Sequence, residues 1–170
     1  MATPTTLIER FRHWYDYERD CNAKVIAMVE SVPEPRRTSD AFTKAVGKAV
    51  HIIAARHMWM YRMGGCADRP ESPFPTMALG ELPGYTARIE ALWTDYLARV
   101  TEHQVVADIE WVGPDGKRRR APLANVLTQV FGHAWYHRGQ IAMLVKDAGG
   151  TPMDTDFIYW DRPTIVEEAG

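Results

Sequence analysis

His133 and His137 lie four residues apart in Phe131-Gly132-His133-Ala134-Trp135-Tyr136-His137-Arg138-Gly139-Gln140-Ile141. Residues at that spacing sit one turn apart on one face of a helix. At about 100° per residue, both fall within the stripe made by Leu123, Val126, Val130, Ile141 and Leu144. The pair is therefore expected to point inward, where an imidazole without a partner is costly. One inward histidine is ordinarily a hydrogen-bonded core residue. Two at this spacing fit either packing or a metal site, and a third imidazole from another helix would decide for the metal. Neutral imidazole nitrogen is a good ligand for zinc, nickel, copper or iron. Gln140 falls close to His133 on the wheel and could orient a ligand. Arg138 points elsewhere and is expected to cap the helix or face solvent.

The third imidazole has two candidates, His51 and His57. Their helix is apolar around most of its circumference, so the wheel separates them poorly. His57 lies near Val46, Val50 and Ile53, the more apolar side. His51 lies nearer Lys44, Lys48 and Arg62, but also Gly47, Ala54, Ala55 and Met58. Periodicity alone favours His57 by a small margin. His13 and His103 sit in polar surroundings and are expected at the surface. Other catalytic patterns are missing. There is no His-Glu-xx-His for a zincin protease, and no Glu-xx-His for a ferritin-like di-iron site. Cys21 and Cys66 have no metal-binding spacing and nothing beside them that marks a reactive thiolate.

Four helical segments are expected to position these residues. The first runs from about Thr6 to Ser31. Thr6 and Glu9 have capping-box spacing, and Leu7, Phe11, Trp14, Cys21, Val25 and Met28 recur on one face. Pro33 and Pro35 end it. The second runs from about Asp40 to Met63, capped by Ser39 or Asp40 and stopped by Gly64-Gly65. A loop rich in proline and glycine covers Arg69 to Gly84. The third runs from about Glu81 to His103. Two short runs flank Gly113-Pro114-Asp115-Gly116, which suggests a hairpin or extended excursion. Its basic run, Lys117 to Arg120, is expected to be a solvated edge. Pro122 suits the first turn of the fourth helix, which Gly149-Gly150 close after Ala148. The tail, Thr151 to Gly170, is too short for another core helix. The expected fold is all-α, a four-helix bundle with a hairpin between helices three and four.

Composition sets the frame. A chain of 170 residues is one domain by the usual prior, here 1–170. Its 46% apolar and 25% charged residues are ordinary for a globular protein. A net charge of −2 argues against a dedicated nucleic-acid binder, which would be basic. No apolar run approaches the roughly 18 residues of a membrane helix, and residues 1–10 lack a signal peptide's apolar centre. The expected location is the cytoplasm.

Three features carry a resemblance: His51-Ile52-Ile53 followed by Trp59; His133-xxx-His137-Arg138-Gly139-Gln140; and the tail Pro152-Met153-Asp154-Thr155-Asp156-Phe157, ending near Tyr159-Trp160. In order and spacing the chain resembles the DinB family of four-helix bundles, in the wider group with YfiT-like members. The resemblance implies a divalent metal, zinc or nickel foremost, held by His51, His133 and His137, with His57 as runner-up. The chain departs from the family pattern at Gly132, where members often carry Asn, and at Tyr136, where they often carry a further His. Members also often have an acid near Arg56. Three histidines would leave a coordination position open, the pattern of catalytic zinc. Related bundles include transferases and isomerases that use mycothiol or bacillithiol. The resemblance thus implies activation of a thiol or a water against a small-molecule substrate, with a non-catalytic stress or accessory protein as the alternative. It also implies a homodimer. The acids that could approach such a site are Asp154 and Asp156.

Overall fold

A computed structural model of the chain describes residues 4–162. The elements are α1 (Leu7–Glu30), α2 (Asp40–Arg62), α3 (Leu82–Arg99), α4 (Glu102–Val106), β1 (Asp108–Val112), β2 (Arg118–Pro122), α5 (Leu123–Asp147) and α6 (Phe157–Asp161). The described chain is mostly helical with one small hairpin, consistent with an all-α class.

Local signals explain most boundaries. The Thr6 hydroxyl accepts from the Glu9 amide, and the Glu9 carboxylate accepts from the Thr6 amide. The next two amides of α1 are also satisfied, because Leu7 and Ile8 donate to the Glu102 carboxylate of α4 at 3.1 and 2.9 Å. Ser39 caps α2 through the Phe42 amide. Both α2 and α5 end in Schellman turns. Gly64 and Gly149 adopt φ of +73° and +84°, where a side chain would be strained. The following amides, of Gly65 and Gly150, bond back to the carbonyls of Met60 and Val145.

The third helix is shorter than its apolar pattern predicts. It stops at Arg99, Val100 is extended, and Thr101 caps the separate α4 through a capping box with Gln104. The break is stabilised from α1: the Arg12 guanidinium donates to the freed carbonyls of Leu97 and Val100 at 2.9 and 3.0 Å. His103 therefore belongs to α4, and it is exposed as expected. The hairpin forms as expected, with Asp108 opposite Pro122 and Val112 opposite Arg118. Arg118 and Arg120 pair with Glu110, and Arg119 with Asp115, so the basic run is a solvated edge.

Helix α5 packs on both α2 and α1, and α3 closes against α1 and α2. Phe11, Tyr15, Trp93 and Phe131 meet at the centre, with Tyr15 stacked between Trp93 and Phe131. Each such side chain contributes roughly 1.5–3 kcal/mol through burial. Beyond α5 the tail forms the one-turn α6, which lays Phe157 and Trp160 on His13 and Tyr17 of α1. His13 is thus largely covered rather than at the surface, with Nε2 2.7 Å from Asp161. The part of the expected tail beyond Arg162 lies outside the described residues. No helix among the described residues is long and apolar enough to cross a membrane.

Candidate metal centre

Helices α2 and α5 bring His51, His133 and His137 together. Each offers one ring nitrogen, and these three atoms lie within 4.8 Å of one another. The rings are near-perpendicular in pairs, with centroids 4.5–5.0 Å apart. They radiate from a common point instead of stacking. His51 is buried, and His133 and His137 are half-buried.

The outer nitrogens define what the inner ones can do. His51 Nδ1 lies 2.6 Å from the carbonyl oxygen of Pro73. A carbonyl only accepts, so Nδ1 carries the proton and Nε2 of the neutral ring is a bare lone pair. His137 Nδ1 lies 2.9 Å from Gln140 Oε1, which orients that ring in the same way. His133 Nε2 faces His51 Nε2 at 3.0 Å. A cation between the inner nitrogens satisfies all of them at once, and imidazoles oriented by outer carbonyl acceptors are the usual supports of a metal. The donor set therefore fits a divalent ion.

The site's electrostatics favour the neutral form of His133 and His137. Burial, then the neighbouring His137 and His51, push His133 down to about 4. Burial likewise lowers His137, against the opposing hydrogen bond that its Nδ1–H donates to Gln140. Phe74 lies flat on His51, 4.2 Å between centroids and 7° from parallel, although Phe74 is itself mostly exposed. A cavity of about 570 Å³ opens beside His51 and His137, lined by Phe42, Val46, Lys48, Phe74 and Met77. Tyr136 turns its ring toward His137 but stays exposed.

The runner-up His57 is not part of this group. Six positions beyond His51, it points about 120° away around the helix. It is buried toward Tyr85 and Asp68 instead. Gln140 contacts His137 rather than the expected His133, because a side chain three residues ahead reaches back over one turn.

Arg138 corrects the expectation of a cap or a solvated side chain. It is buried and donates to both oxygens of Glu18 at 2.8 and 2.9 Å, and to the Tyr17 hydroxyl. The reason is that α5 has two buried faces. His133 and His137 look at α2, while Arg138 looks at α1. Glu18 is itself fully buried and also bonds Arg56 of α2 and the Trp135 indole. One carboxylate of α1 thus ties α2 to α5 and sets how the helices carrying the histidines face each other.

Sequence reasoning missed Glu18 and Arg56 as a pair. A signal existed: Glu18 stands in the apolar stripe of α1, four after Trp14 and three before Cys21, and Arg56 interrupts an apolar run. Pro73 and Phe74 had no signal, because they come from an irregular loop. Asp154 and Asp156 do not join the imidazoles; they line a separate groove with Asp20, Tyr159 and Trp160. Cys21 is buried and Cys66 half-buried, both as free thiols.

No curated protein and no solved structure matches the chain. The model of the DinB family matches residues 1–168, essentially the whole chain, and the protein belongs to that family.

Proposed function

We propose that His51, His133 and His137 hold one divalent metal ion, zinc or nickel, and that the site activates a thiol or a water against a small-molecule substrate. The observation that carries this reading is the meeting of ring nitrogens whose outer partners are carbonyl oxygens. The four long helices are then the family's four-helix bundle, within a single domain spanning 1–170.

When bound, such an ion lowers the pKa of a coordinated thiol or water, so that it is a nucleophile near neutral pH. The chain's own residues do the rest. Pro73 and Gln140 fix two rings with Nε2 inward. Phe74 shields the outer face of His51. The adjoining cavity offers apolar walls and the ammonium of Lys48, a fit for a substrate with an apolar body and an anionic group. Among the described residues no carboxylate joins the imidazoles. A reactant that gives up its proton readily needs no such base, which favours a thiol (free pKa near about 8.5) over water. The same lack of a carboxylate favours, as second reading, a metal-binding accessory protein without turnover.

Tag-free protein should contain about one three-histidine-bound metal per chain, and His133→Ala should lose it while keeping its helical content. Metal-loaded protein should turn over a low-molecular-weight thiol with an electrophilic acceptor, and His137→Ala should abolish this. Full metal retention in His133→Ala overturns the site. Metal binding without thiol binding or turnover selects the accessory reading. A homodimer is proposed with it, paired through the α5 face that exposes Tyr136 and Met143 one heptad apart. A monomeric mass at micromolar concentration would remove that part.

A further inference from the structure

His57 leads to a second place on the molecule. Its side chain is almost wholly buried, yet Nε2 makes no hydrogen bond. Asp68 Oδ2 lies 3.1 Å from that nitrogen, in a geometry that forms none. An unpaired buried ring nitrogen is costly, so something normally satisfies it. Cys66 Sγ stands in the same group, and the three donor atoms lie within 4.8 Å of one another. Donors sharing an ion at bond lengths of roughly 2.0–2.3 Å are themselves about 3–4 Å apart, so these donors need close by no more than about 1–2 Å to share one.

We infer that His57, Cys66 and Asp68 form a second metal site, separate from the three histidines and suited to zinc. A sulfur, a nitrogen and a carboxylate oxygen together favour zinc over magnesium or calcium, which take oxygen alone. A thiolate, a carboxylate and a neutral imidazole also balance the charge of a divalent ion. The surrounding residues support each donor. Tyr85 holds His57 Nδ1 with its hydroxyl at 3.1 Å. Arg88, lying over the Tyr85 ring, bonds the Asp68 carboxylate at 2.8 Å and anchors it at the rim. Arg88 and His57 face the same oxygen, Oδ2, and the lone pairs of a carboxylate's two oxygens suffice for an arginine and an ion together.

The position gives the site a role. Cys66 and Asp68 lie in the loop between α2 and α3, and Pro73 and Phe74 lie a few residues further along that loop. Those two residues hold and cover His51. An ion at His57 clips the loop to α2 and so steadies the wall of the three-histidine centre. This inference does not depend on the proposed reaction.

Cobalt(II) tests it in the full-length chain, with His133→Ala used to silence the first site. A thiolate bound to cobalt gives a charge-transfer absorption that a sulfur-free imidazole site cannot give. The expected result is about one equivalent of cobalt bound to His133→Ala with that absorption. Adding Cys66→Ser should remove both, and adding Asp68→Asn, a change at an exposed position, should weaken binding at least about tenfold. Circular dichroism checks that each variant is folded. No cobalt bound to His133→Ala, binding without the sulfur absorption, or an absorption that survives Cys66→Ser would each overturn the site.

Discussion

Two polar clusters sit on α5 within a few residues of each other, and they are built on opposite plans. Around Glu18 the charged groups are buried and meet at one point: the carboxylate receives two guanidiniums and an indole. Around His133 the groups are imidazoles, buried or half-buried beside a cavity, and two of the three are held by bonds on their outer nitrogens. The first arrangement commits its carboxylate to its cations, with the Nε atoms of Arg56 and Arg138 left unbonded. The second turns its lone pairs toward a shared centre. Burial of polar residues is therefore not itself the mark of a site in this protein. The convergence of several donor nitrogens on one point beside a cavity is.

If the first cluster is structural, breaking it should have the largest effect on folding. Glu18→Gln leaves two buried guanidiniums without a counter-charge, and losing one partner of a buried ion pair typically costs about 3–5 kcal/mol. Urea unfolding should show a loss of that size, and a loss below about 1 kcal/mol would show that the network is not what ties α1, α2 and α5 together. The second cluster should behave the other way. Gln140→Ala removes the group that orients His137, and such outer partners typically contribute about 10–100-fold in metal affinity. Competition with a chromophoric chelator should show that weakening, with the unfolding midpoint of the metal-free protein nearly unchanged.

The smallest effect is a pH dependence. Burial holds His133 down to about 4 and lowers His137, while imidazoles of the unfolded chain titrate near about 6.5. Below that value the unfolded state binds more protons than the native state. In the metal-free protein, stability is therefore full above about pH 6.5 and declines as pH falls toward about 4. Urea midpoints at pH 7 and pH 5 should differ in that direction, and His133→Ala should flatten the difference. An equal slope in wild type and variant would detach it from the centre.

Much of this was legible in local pattern. The capping box at Thr6, the paired glycines that end α2 and α5, the hairpin turn and the four-residue spacing of His133 and His137 all depend on residues within a turn or two of each other. The misread elements depend on distant partners. The apolar period of α3 runs on through Val100, but the helix breaks because Thr101 caps a new turn and Arg12 of α1 takes the freed carbonyls. Arg138 looked like a surface cation until α1 supplied Glu18 from 120 positions away.

The sequence by itself determined the four long helices, the inward histidine pair and the family, because periodicity, caps and motif spacing are properties of short segments. Between His51 and His57 periodicity leans to His57 and the resemblance to His51, and the tertiary structure brings His51 to the pair. Their helix is apolar nearly all round, so its own pattern does not say which side meets α5. That rotation is set by the long-range pairing of Arg56 and Arg138 with Glu18, and the tautomer of His51 by a carbonyl that the following loop brings back across 22 positions.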